Sequence, residues 1–77
     1  MNISGIVMAC RPEDLAATIA VVDGLAWASV HHTEPAGRLV VTIEAADVDE
    51  SIERLKQLQG LPRVLMAELA QYCVEAT

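Results

Sequence analysis

Phenylalanine is absent from this 77-residue chain, which carries one tryptophan, Trp27, and one tyrosine, Tyr72. Hydrophobic residues nevertheless make up 53% of it, so aliphatic side chains and alanine must fill the interior, in thin and closely packed layers. Basic residues are scarce. Five Lys and Arg stand against eleven Asp and Glu, a formal charge of −6. Binding to a phosphate backbone relies on clustered cations, so nucleic acid is not expected as a partner, whereas a cationic one fits.

No run reaches the roughly 18 uncharged apolar residues that a membrane helix needs. Residues 1–4 contain no basic segment leading into an apolar stretch, and a cytoplasmic location is the expectation. The length corresponds to a single domain over 1–77 with little room for a deep enclosed pocket.

The residues of common reaction centres are few and far apart. The two cysteines, Cys10 and Cys73, form neither a CxxC pair nor a disulfide framework. Glycines occur singly, at 5, 24, 37 and 60, each at a strand, a helix end or a turn rather than in a phosphate cradle. His31 and His32 are adjacent, so strict strand alternation would send them to opposite faces and keep them from one metal ion. Neither Cys10 nor Ser29 has an identifiable base beyond those histidines. We expect no enzyme, no metal and no cofactor.

What is present is a regular succession of elements. Residues 3–10 are apolar and partly β-branched and read as a strand, ending at Arg11-Pro12, where proline suits the first turn of a helix. Leu15, Ile19 and Val22 then lie on one helical face, with Glu13 and Asp14 in the first turn and Gly24 at the stop. Residues 25–32 lead through the turn formers Thr33-Glu34-Pro35-Ala36-Gly37 into the β-prone residues 38–44, a hairpin. In its second strand Leu39, Val41 and Ile43 point to the core, and Val40, Thr42 and Glu44 point away. Asp47 and Glu50 have the spacing of a capping box, followed by the stripe Val48, Ile52, Leu55, Leu58 and the stop Gly60. Pro62 precedes a last strand over 63–74.

The two halves echo each other, Gly24-Leu25 matching Gly60-Leu61, which describes a duplicated βαβ unit. Such units form a ferredoxin-like βαββαβ domain of the α+β class. Its four-stranded antiparallel sheet has the order 4-1-3-2, with two helices on one face. In that topology Cys10 and Cys73 fall at opposite ends of a strand pair, too far apart to bond.

The other sheet face remains open. An uncovered antiparallel face normally turns polar, but here it collects apolar side chains. We assign to it, as peptide-binding positions, Val40, Thr42 and Glu44 together with Ile6, Met8, Ala28, Val30, Glu68, Ala70 and Tyr72. Glu34, Glu44, Glu68 and Glu75 would border it, and Met8 and Met66 would make it adaptable. An apolar face ringed by acids suits a polypeptide that is both apolar and basic.

The chain resembles the NapD family of small cytoplasmic chaperones. The resemblance rests on Ser4-Gly5-Ile6-Val7, Pro12-Glu13-Asp14-Leu15, Gly37-Arg38-Leu39-Val40-Val41-Thr42-Ile43-Glu44-Ala45 and Val64-Leu65-Met66-Ala67. It implies binding to the twin-arginine signal peptide of the catalytic subunit of periplasmic nitrate reductase, with export held back until the molybdenum cofactor is inserted. It also implies that the chain has no cofactor of its own. A monomer or weak dimer is expected. The competing reading is a dimeric regulatory domain that binds an amino acid or similar small effector between two sheets.

Overall fold

The computed structural model describes the backbone of residues 1–74 and the side chains of residues 1–71. Four strands, β1 (Asn2–Cys10), β2 (Ala28–Glu34), β3 (Arg38–Ala45) and β4 (Val64–Val74), form one antiparallel sheet in the order β2-β3-β1-β4. A short 3-10 turn (Pro12–Asp14) leads into α1 (Leu15–Asp23), and α2 (Val48–Gln59) joins β3 to β4. This is the expected ferredoxin-like α+β architecture, strand order included.

The core lies between sheet and helices. Ile6, Met8 and Cys10 of β1, Leu39, Val41 and Ile43 of β3, Val22 of α1, Leu58 of α2 and Ala67 of β4 are all buried. Leu15, Ile19, Leu55, Trp27, Ala28 and Val30 pack around them, half-buried.

The duplication is visible in the backbone. After α1, Gly24 N–H donates to the Ala20 carbonyl, Leu25 N–H to Val22 and Ala28 N–H to Leu25. After α2, Gly60 donates to Lys56, Leu61 to Leu58 and Val64 to Leu61. The same three bonds thus carry each helix into its following strand. Neither glycine needs a positive φ to do so, both staying in the right-handed region.

Gly37 is different. The hairpin closes with its N–H on the Glu34 carbonyl, and its own carbonyl accepts from Cys10 N–H at 2.8 Å, which braces the hairpin tip against the end of β1. Its φ is 107°, and a Cβ there would stand 2.0 Å from the Cys10 carbonyl oxygen. Only glycine fits.

At the start of α2 the Asp47 carboxylate accepts from Glu50 N–H at 2.8 Å, as the capping-box spacing suggests. The reciprocal bond reaches one residue further back than in the usual box: Glu50 Oε1 accepts from Ala46 N–H at 3.0 Å. Arg54 then fastens α2 to the sheet. It donates to the Glu44 carbonyl, pairs with Glu50 at 3.2 Å and lies over the Trp27 ring, 5.3 Å from its centroid.

The β1–β4 register pairs Ile3 with Cys73 and Cys10 with Val64, so the two cysteine positions lie at opposite ends of the pair, as expected from the topology. No helix among the described residues is long and apolar enough to cross a membrane.

Candidate functional site

Register decides what the open face carries. Directly opposed residues of an antiparallel pair project to the same side, and β3 sends Leu39, Val41 and Ile43 to the core. Their β1 partners Met8, Ile6 and Ser4 therefore face the core too, and Ile6 and Met8 are 0% exposed. The expectation that Ile6 and Met8 belong to the open face is corrected. Both side chains are packed under the helices and out of reach of a ligand on the other face.

The same correction applies to Ala28 and Val30, which pair with Ile43 and Val41 and pack half-buried against the core. Val40, Thr42 and Glu44 stand on the open face as expected, Val40 and Glu44 exposed and Thr42 half-buried. Glu68 pairs with Val7 and is exposed on the same face. Ala70 is the extra residue of a bulge, since β1 passes from Gly5, opposite Gln71, to Ile6, opposite Leu69. It has no direct partner on β1, and its side chain is exposed. The side chains of Tyr72 and Glu75 lie outside the described residues.

The floor of the open face is the opposite parity of β1: Ile3, Gly5, Val7 and Ala9, half-buried with no helix or strand above them among the described residues. Met66 joins them opposite Ala9, and Val40 opposite Val7. Together these make an apolar strip along the two central strands and onto β4.

The β2 edge brings a second correction. A register shift between Val30 and His32 inserts His31 as an extra residue, and strict alternation fails there. His32 pairs with Val40 of the open face, and His31 Nε2 lies 2.7 Å from Thr42 Oγ1 on that same face. Both imidazoles, expected on opposite sides, thus border one surface. His32 Nε2 also stands 3.7 Å from the Glu34 carboxylate. Among the described residues no group of three or more His, Cys, Asp or Glu is placed to hold a metal ion.

Charges on the face are unbalanced. Among the described strand residues Glu34, Glu44 and Glu68 are exposed there, together with the cation Arg38, opposite Glu34 and Ala9. Carboxylates therefore outnumber Lys and Arg side chains among the described strand residues of this face, around a floor without charge. Such a surface repels anions and attracts a ligand that presents cations at its edges and aliphatic groups at its centre.

The helix side of the sheet has a cleft of its own. Ser4, Ile6, Ile43, Val48, Ser51, Ile52, Leu55 and Leu69 line a groove of about 410 Å³ between α2 and β4. Ser51 Oγ is occupied, donating to the Asp47 carbonyl at 3.1 Å. Ser4 Oγ is buried there with no hydrogen-bond partner among the described residues. An unpaired buried hydroxyl of this kind costs about 1–3 kcal/mol.

The fold and the uncovered, acid-bordered face define a small α+β protein of the ferredoxin-like class with one side of its sheet free for contact. The chain belongs to the NapD family, whose model, described as NapD protein, matches residues 1–76. No curated protein matches it in sequence. Its fold is similar to that of the solution structure of the E. coli Tat proofreading chaperone protein NapD. The TM-score is 0.84 at 20% identity, over 95% of this chain and 78% of that one.

Proposed function

We propose that this chain is a cytoplasmic chaperone that binds the twin-arginine signal peptide of a periplasmic nitrate reductase catalytic subunit on its open sheet face. Binding delays export until the molybdenum cofactor has been inserted. The observation that carries this reading is the apolar strip Ile3, Val7, Ala9, Val40 and Met66, bordered by Glu34, Glu44 and Glu68. Membership of the NapD family supports it, as does the proofreading role named for the E. coli protein of the same fold.

The physical division of labour is direct. Burial of the peptide's apolar stretch against the strip supplies most of the affinity, at about 25 cal/mol per Å² of apolar surface removed from water. The glutamates select for arginine, because guanidinium makes charge-assisted, often bidentate bonds to carboxylates. A peptide held in this way is withheld from the export machinery.

Titration calorimetry with a synthetic twin-arginine peptide tests the binding. Micromolar or tighter affinity is expected, falling when both arginines are replaced by glutamine. No heat at micromolar concentration, or affinity indifferent to the replacement, would overturn the reading. The delay is tested with a reporter fused to the signal peptide, which should be exported more slowly when this chain is co-expressed.

A further inference from the structure

We propose that the groove between α2 and β4, on the helix side of the sheet, is a second contact site for the client polypeptide. It takes an apolar segment whose basic neighbours meet Asp49 and Glu53. The inference rests on the peptide-binding reading above and adds a separate surface to it.

Three observations point the same way. The apolar stripe of α2 is not fully used by the sheet. Leu58 is buried, Leu55 half-buried, and Ile52 and Val48 are 47% and 52% exposed, so the stripe is less covered toward the start of the helix. Across it, Leu69 of β4 is 51% exposed although it projects to the helix side opposite Ile6. Interiors normally close up over aliphatic side chains, yet here they line about 410 Å³ of open space, within the size range of ligand pockets.

Ser4 Oγ narrows the occupant's chemistry. The residue is 1% exposed, and its hydroxyl is the one buried side-chain oxygen or nitrogen without a partner among the described residues. A hydrocarbon ligand would leave it unsatisfied. A polypeptide brings backbone N–H and C=O groups along with its aliphatic side chains, and one of them completes the bond.

Charge narrows it further. Asp49 and Glu53 follow Val48 and Ile52 in sequence, which places them on the outer flank of the same helix edge. Both are exposed and neither has a side-chain partner among the described residues. A second copy of this chain, itself at −6, would bring like charge to that rim, whereas a basic segment neutralises it.

The test is a titration of ¹⁵N-labelled protein with a synthetic peptide of two adjacent arginines followed by an apolar stretch. Amide shifts are expected at Ser51, Ile52, Leu55 and Leu69 as well as at Val7 and Val40. Ile52→Glu should weaken binding about tenfold, the loss of one well-buried aliphatic contact. Ser4→Ala should weaken it about threefold, the order of one hydrogen bond, while leaving the unfolding midpoint unchanged or higher.

Asp49→Lys with Glu53→Lys, both at exposed positions, should weaken binding more than the charge-matched control Glu13→Lys with Asp23→Lys, with circular dichroism showing both variants folded. Shifts confined to Val7, Val40 and their neighbours, with Ile52→Glu and the Asp49/Glu53 reversal binding like the parent, overturn the groove and leave the open-face reading standing. Shifts confined to the groove support it and overturn the open face. Self-association without peptide, seen as rising mass in light scattering and abolished by Ile52→Glu, assigns the groove to a second copy and overturns the proposal.

Discussion

His31 and Thr42 are joined across the β2–β3 pair, Nε2 to Oγ1 at 2.7 Å, on the uncovered side of the sheet. The bond exists because the bulge at His31 turns a residue that alternation would send elsewhere onto the face of Thr42. It pins the exposed edge strand to its neighbour where the apolar floor ends.

A double-mutant cycle measures that bond. Thr42→Val and His31→Ala should each lower stability by about 0.5–1 kcal/mol in urea unfolding, the scale of one exposed hydrogen bond. The double variant should lose less than the sum. Full additivity would mean that the two side chains do not interact in solution.

Neighbouring positions on β1 should behave as opposites. Met8→Ala empties a space under the helices and should cost about 2–4 kcal/mol. Val7→Ala, on the uncovered face, should cost less than about 1 kcal/mol, and Val7→Asp should weaken peptide binding strongly while the protein stays folded. Chemical denaturation gives the first comparison and calorimetric titration the second. The reverse ranking would indicate that β1 is turned over by one residue.

Gly37→Ala tests the hairpin brace. The φ of 107° and the 2.0 Å approach to the Cys10 carbonyl leave no place for a methyl group. Destabilisation of about 2–3 kcal/mol is expected, lowering the thermal midpoint by roughly 10 °C or more in a domain of this size. A variant as stable as the parent would contradict the turn geometry.

Arg54 offers a spectroscopic handle, because Trp27 is the single tryptophan of the chain. Arg54→Lys keeps the charge but loses the planar stacking and the fork that reaches both the Glu44 carbonyl and Glu50. Stability should fall by about 1 kcal/mol, and Trp27 emission should shift to the red as its ring becomes wetter. An unchanged spectrum would mean the guanidinium does not cover the ring.

Much of this protein can be read from its residues. The element order follows from stops and starts that act locally: Pro12 in a first turn, Asp47 with Glu50 at a helix start, Gly37 closing a turn. Strand β3 reveals its own orientation, because Leu39, Val41 and Ile43 alternate with Val40, Thr42 and Glu44, and one set is plainly more polar. The strand order follows from the repeated βαβ pattern, since two such halves have one common way of interleaving into a single sheet.

The orientation of β1 and β2 is not written in the same way. Along β1 both parities are small or apolar, Ile6 and Met8 on the side under the helices, Ile3, Val7 and Ala9 on the uncovered side. A hydropathy pattern cannot separate two apolar faces. Only pairing with β3 does so, by placing Ile6 opposite Val41 and Met8 opposite Leu39. The bulges at His31 and Ala70 shift side chains by one residue through backbone geometry that has no residue signature here. Local chemistry therefore determined which segments become strands and helices, while tertiary register alone decided which side chains line the open face and which fill the core.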